Sequence, residues 1–213
     1  MSGETVSIVY IDLMGRLGNQ MFQIANGLSY GIENNLKAYL PEDRKKSHLI
    51  FHKLPRIKNP NSLPVYEYKS IEYKKVPYNG EIRLFGYFQS EDYFKSNKDA
   101  IIKMFKNISL EPDIRLKIDR NIRDIGHEMS ITISIHIRRG DYLKLRKIHP
   151  VQDESYYKRG LLAISNKLNI EFEILKKKYK LIIFSDDIGW CKSSGMFDSF
   201  NFNFPEGNED YID

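Results

Sequence analysis

The chain has 213 residues, 41% hydrophobic and 29% charged, with a formal net charge of +5 and a sequence pI near 9.0. That balance excludes a disordered chain and allows a sizeable buried core. The one cysteine, Cys191, excludes an intrachain disulfide, and no stretch reaches the roughly 20 apolar residues of a membrane-spanning helix.

Residues 6–14 are apolar and β-branched and predict a buried strand. The loop Gly15-Arg16-Leu17-Gly18-Asn19-Gln20 follows, and then Met21, Phe22, Ala25, Leu28 and Ile32 recur at helical spacing. Asn34 and Asn35 favour a helix exit there. Lys37 to Leu40 reads as a second strand stopped by Pro41. A β-loop-α-β start argues for a parallel sheet. Residues 41–80 carry Pro41, Pro55, Pro60, Pro64 and Pro77 and read as irregular, with short extended pieces. Ile82 to Phe85 is strand-like, residues 86–90 form a loop, and Ser90 is placed to cap a helix over about 91–106. Glu111-Pro112 opens a helix through about Arg123.

A second α/β pattern starts at Ser130. It has a strand over 131–137, a loop Arg138-Arg139-Gly140-Asp141-Tyr142, and a helix over about 154–168. A strand at 181–184 ends in Ser185-Asp186-Asp187, and a short helix then carries Trp190 and Cys191. The expected fold class is α/β, with two Rossmann-like halves at 1–108 and 109–213. Met-Ser-Gly-Glu-Thr at the start offers no basic segment ahead of a long apolar one, so a cytoplasmic protein is expected.

Three segments carry candidate chemistry. Gly15–Gln20 lies between a strand and a helix, where backbone N–H groups meet anions or polar ligands. It lacks the third glycine of the dinucleotide fingerprint, and on spacing alone a tight βα turn is the better reading. The second segment, His136 to Tyr142, sits at a strand's carboxyl end, where open α/β sheets bind ligands. Its paired arginines suit phosphate, because a guanidinium forks onto two oxygens and stays charged. Gly140 allows close backbone approach, and Asp141 can orient an arginine or accept a proton. A surface ion-pair cluster is the competing reading. The third segment is Ser185-Asp186-Asp187, again at a strand end. Its carboxylates could hold a divalent metal, read a guanine edge, or cap the next helix. No Asp-x-Asp metal signature occurs in the chain.

Other features are weaker. His48 and His52 share helical spacing but have no third ligand nearby, so no metal site is expected. Cys191 beside Trp190 reads as packed rather than nucleophilic. Lys176 to Lys180 reads as a solvated loop or helix end. The basic charge permits a nucleic-acid partner, but no interleaved basic-aromatic pattern asks for one.

Together, GRLGNQMFQIA at 15–25, GYFQSEDYF at 86–94, HIRRGDY at 136–142 and FSDDIGWCK at 184–192 resemble the signatures of the α-1,2-fucosyltransferase family of bacteria and large viruses, glycosyltransferase family 11. Order and spacing agree across nearly the whole chain. Pieces of these motifs are also similar to those of protein O-fucosyltransferases and α-1,6-fucosyltransferases. The resemblance implies a GT-B-like architecture with a donor-binding second half, and metal-independent, inverting transfer of fucose from GDP-fucose to the 2-OH of a galactoside in a glycan. Arg138 would bind the β-phosphate as the catalytic residue with Asp141. Arg139 and His136 would shape that site, Asp186 or Asp187, beside Ser185, would read guanine, and Gly18 and Asn19 would approach the donor. Asp12 and Asp141 are candidates for the base. Family members continue with an Asn-Ser-Ser/Thr-Phe-Ser-Trp-Trp segment that completes the phosphate site, which implies an incomplete second half here. A non-catalytic relative that still holds a GDP-sugar or glycan, or a transferase of another linkage, is the alternative.

Overall fold

The computed structural model describes residues 7–42, 51–70, 72–106, 112–125 and 131–205. Two compact units make up the chain, Met1–Pro112 and Asp113–Asp213. The expected boundary near residue 108, like His48, lies outside the described residues.

In the first unit, β1 (Ile8–Ile11) is shorter than the apolar run that predicts it. It pairs in parallel with β2 (Lys37–Pro41) on one side and β5 (Ile82–Phe85) on the other. Neighbours on both edges and cover on both faces explain why Val9, Tyr10 and Ile11 are all buried. Between β1 and β2 runs α1 (Leu17–Asn34), the parallel crossover. It packs on β1 at Gly27, where a Cβ would overlap the Ile11 side chain. The helix ends at Asn35, which is left-handed at φ 55° and returns its N–H to the Gly31 carbonyl.

Two of the short extended pieces expected in the proline-rich stretch are strands. β3 (Arg56–Ile57) and β4 (Val65–Glu67) complete a parallel sheet of order β3-β2-β1-β5-β4. They are too short for a period-2 pattern to show, and apart from Pro41, which pairs with Ile57, the prolines fall outside the paired residues. Pro41, expected to stop β2, is its last residue.

The helix expected over 91–106 is broken. Ser90 does cap, accepting the Asp92 N–H at 3.2 Å, but the capped element is a 3₁₀ turn, Glu91–Tyr93. A second turn, Lys95–Asn97, precedes α2 (Lys98–Lys106). The break falls at Phe94, whose φ of −135° lets Tyr93 join Tyr68 and Phe88 in a three-ring cluster. Aromatic packing overrides helical propensity here. α3 (Pro112–Ile125) follows.

The second unit has a parallel sheet of β6 (Thr132–Ile137), β7 (Lys180–Ser185) and β8 (Asn201–Asn203), in that order. β6 is an edge strand and alternates exposed and buried. β7 is central and buries Leu181, Ile182 and Ile183 in succession. Between β6 and β7 lie α4 (Glu154–Lys167), capped by Asp153, and α5 (Phe172–Lys178). The lysines of 176–178 close α5, one of the two roles expected for them. A short α6 (Ile188–Ser193) leaves β7. Cys191 packs with Leu161, Leu175 and Phe197, and burial pushes its thiol up, away from the thiolate form.

Candidate functional site

The loops at the carboxyl ends of β6 and β7 are locked together by charge. Ser185 begins the lock. Its hydroxyl donates to the Ile137 carbonyl at 2.8 Å and accepts the Asp187 N–H at 3.0 Å. Asp186 then spans the two loops. Its Oδ1 accepts the backbone N–H groups of Arg139 at 2.8 Å and Gly140 at 3.1 Å, while Oδ2 lies 3.1 Å from Arg138 Nε. Gly140 is required at that point, because a Cβ there would sit 2.6 Å from Asp186 Oδ2.

Both guanidiniums are held at one edge and left open at another. Arg138 Nε and Nη2 donate to Asp141 at 3.0 and 2.9 Å. Its Nη1 carries no hydrogen bond among the described residues. Arg139 donates from Nε to Asp187 Oδ2 at 3.1 Å and lies 3.8 Å from the centroid of the Trp190 ring. Both Nη atoms of Arg139 are without a partner among the described residues. The two side chains are 18% and 16% exposed, so their charges are only partly screened. A cavity of about 630 Å³ opens beside Arg139, lined also by Arg146, Val151, Asp153, Ser155 and Trp190.

Asp187 also accepts the Trp190 N–H at 3.1 Å and so caps α6. The capping alternative is thus realised at Asp187, and Asp186 is engaged by the arginine loop. Neither carboxylate is grouped with others in the manner of a metal site, and no cluster of three or more His, Cys, Asp or Glu occurs among the described residues. His136 shares the outward face of β6 with Arg138 but is not in the cluster. It is exposed and lines a separate cavity of about 470 Å³ with Tyr156 and Arg159.

In the first unit, the loop after β1 is fixed by amides instead. Gln23 exchanges two hydrogen bonds with the Met14 backbone, at 3.0 and 3.3 Å, and Gln20 donates to the Gly15 carbonyl at 3.0 Å. Gly15 turns at φ +72°. Gly18 faces open space, and Asn19 accepts from Gln89 Nε2 at 2.6 Å. Gln89 follows Phe88, a buried residue at φ 50°, so backbone strain helps aim it. Asp12 is paired with Arg83 through two bonds of 2.5 and 2.9 Å, a pairing that raises the arginine's own pKa.

Three of these residues lie within the quoted motifs without a role that the sequence assigns. Trp190 reads as a packing neighbour of Cys191, although its place three residues after the Asp187 cap puts it on the first turn beside Arg139. Gln23 and Gln89 carry no chemical signature of their own. Buried amides at 1% exposure for Gln23 are nevertheless a cue that a backbone segment needs partners.

The profile of Glycosyl transferase family 11 matches residues 4–209. The chain belongs to this family. It is 29% identical to an α-1,2-colitosyltransferase of Escherichia coli, over 98% of this chain and 80% of that protein. It is 25% identical to galactoside α-(1,2)-fucosyltransferase 1 of Bos taurus, over 86% of this chain and 52% of that protein. The chain therefore spans about half the length of that mammalian relative. Among solved structures it is similar to NodZ, an α-1,6-fucosyltransferase soaked with GDP-fucose, with a TM-score of 0.55 and 13% identity over 98% of this chain and 80% of that one. This likeness establishes the α/β fold with parallel sheets. No helix among the described residues is long and apolar enough to cross a membrane.

Proposed function

We propose that this family 11 chain is an inverting, metal-independent transferase that moves L-fucose from GDP-fucose to the 2-OH of a galactoside, using a GT-B-like pair of Rossmann-like units. One observation carries the reading: two arginines at a strand end, each anchored by a carboxylate and each with guanidinium N–H groups left open. That arrangement suits a diphosphate leaving group, which needs fixed positive charge as its own negative charge grows. Arg138 would take the β-phosphate through Nη1, and Arg139 would bring its Nη fork from the Trp190 ring. Asp186 and Asp187 act through the arginines and hold them in place. A metal would have to displace those arginines from the same carboxylates.

The acceptor hydroxyl attacks the anomeric carbon from the face opposite the departing GDP, and its proton goes to a base. Asp12 and Asp141 each already pair with an arginine, so either would break an ion pair on taking that proton. The likeness to a colitosyltransferase supports a second donor sugar on the same phosphate machinery.

The test is calorimetry of GDP and GDP-fucose with EDTA present, wild type beside Arg138→Ala. Binding that survives EDTA and is lost in the variant is the expected result. Equal binding by both proteins would remove Arg138 from the site.

A further inference from the structure

The first unit holds a second cavity, of about 500 Å³, away from the loop at 15–20. One wall is the later part of α1, with Asn26, Tyr30 and Glu33. Another is the segment at 73–76, and the third is the pair of 3₁₀ turns carrying Tyr93 and Ser96. Asn26 lies seven residues beyond Asn19, about 10 Å along the helix axis, and Glu33 about 21 Å. The cavity is thus distinct from the turn that follows β1.

Its walls are fixed. Tyr30 donates its hydroxyl to the Pro77 carbonyl at 3.2 Å and receives the Asn79 N–H at 3.4 Å. Tyr93 receives the Lys74 N–H at 3.2 Å. Glu33 Oε1 accepts from Ser96 Oγ and from Asn97 Nδ2. Against these held groups, one is left over. Asn26 is 2% exposed, lines the cavity, and its Nδ2 has no hydrogen-bond partner among the described residues. A buried amide donor without an acceptor is costly and calls for a ligand oxygen.

We propose that this cavity is a saccharide-binding site of the first unit, sharing no residue with the loop at 15–20 or with the Arg138–Arg139 cluster. The lining charges cancel, Lys75 and Lys95 against Glu33 and Asp92, which favours a neutral ligand over a phosphate. Tyr73, 44% exposed, stands edge-on to Tyr93 at 4.9 Å between ring centroids and offers a face to the C–H side of a sugar ring. The carboxylate of Glu33 and the amide of Asn26 provide an acceptor and a donor for hydroxyls, and the volume suits one or two sugar rings. The inference does not depend on the transferase reading.

Saturation-transfer NMR with lactose, maltose and di-N-acetylchitobiose tests it on the full chain. At least one disaccharide gives a signal in wild type and keeps it in Arg138→Ala. Asn26→Leu and Tyr73→Ala each weaken that affinity tenfold or more, and Asn26→Leu does not lower Tm, since the Nδ2 it removes has no partner among the described residues. Should Asn26→Leu fail to fold, Tyr73→Ala at its exposed position decides. The proposal is overturned if none of the three sugars binds, if both pocket variants bind like wild type, or if Arg138→Ala abolishes the signal.

Discussion

Each unit closes its first strand with a functional loop, but the two loops are held by different forces. After β1, neutral amides do the holding: Gln20 and Gln23 bond to backbone groups of Gly15 and Met14. After β6, charges do it: Asp141, Asp186 and Asp187 grip Arg138, Arg139 and their peptide groups. Neutral stapling fixes a shape whatever binds nearby. Charged stapling also stores an electrostatic state, and an incoming anion must share the arginines with the carboxylates that hold them. On the proposed function, the first loop acts as a scaffold and the second is where a ligand's charge is read.

The largest expected effect tests that division. Arg138→Ala should lower kcat about 10²–10³-fold, roughly 3–4 kcal/mol of transition-state stabilisation, with little change in Tm. Arg138→Lys should not restore it, because an ammonium cannot span Asp141 and a phosphate together. Turnover near wild type in either variant, measured with GDP-fucose and a galactoside, would make the cluster a surface ion-pair group. Gly140→Ala comes next. Its Cβ pushes the Asp186 carboxylate off two N–H groups, so stability should fall by about 1–3 kcal/mol and GDP affinity should fall with it. Unchanged GDP affinity in a folded Gly140→Ala protein would separate the lock from the site.

What the sequence made legible follows the same division. The alternation of Ile133, Ile135 and Ile137, and the arginines at the end of that strand, can be read directly because period and charge are local signals. The Asp186 bridge could not be, since it joins residues 46 and 47 positions apart and depends on the parallel register of β6 and β7. The break at Phe94 was hidden for a different reason: helical spacing continues through it, and only the ring cluster of Tyr68, Phe88 and Tyr93 overrides it. β3 and β4 were legible only as short extended pieces, because two or three residues carry no period, and their place at the sheet edges comes from the chain around them.

A smaller effect is expected on the neutral side. Gln23→Leu leaves the Met14 N–H and C=O without partners and should cost about 1–3 kcal/mol in urea or thermal unfolding. Because the bonds that Gln23 makes are neutral and the substitution leaves Arg16 in place, GDP affinity should stay within about twofold. A large loss of GDP binding without loss of stability would show that the amide-held loop reads the ligand too, and the contrast between the loops would fail.

The smallest effect concerns the charge of a helix cap on the wall of the cavity beside Arg139. Asp153 caps α4, accepting from Ser155 Oγ at 2.8 Å and the Tyr156 N–H at 2.9 Å, and those bonds hold its carboxyl below the usual range. A depressed folded-state pKa contributes stability that is complete above the unfolded value, about 3.9. The contribution is lost as pH falls through the lower folded value. Asp153→Asn keeps a capping oxygen and removes the titration. Its Tm deficit relative to wild type should therefore be constant above about pH 5 and shrink below pH 4. A deficit that persists unchanged at pH 3 would mean that the cap works by geometry alone. In that case the charges that matter to this unit are confined to the carboxylates that hold Arg138 and Arg139.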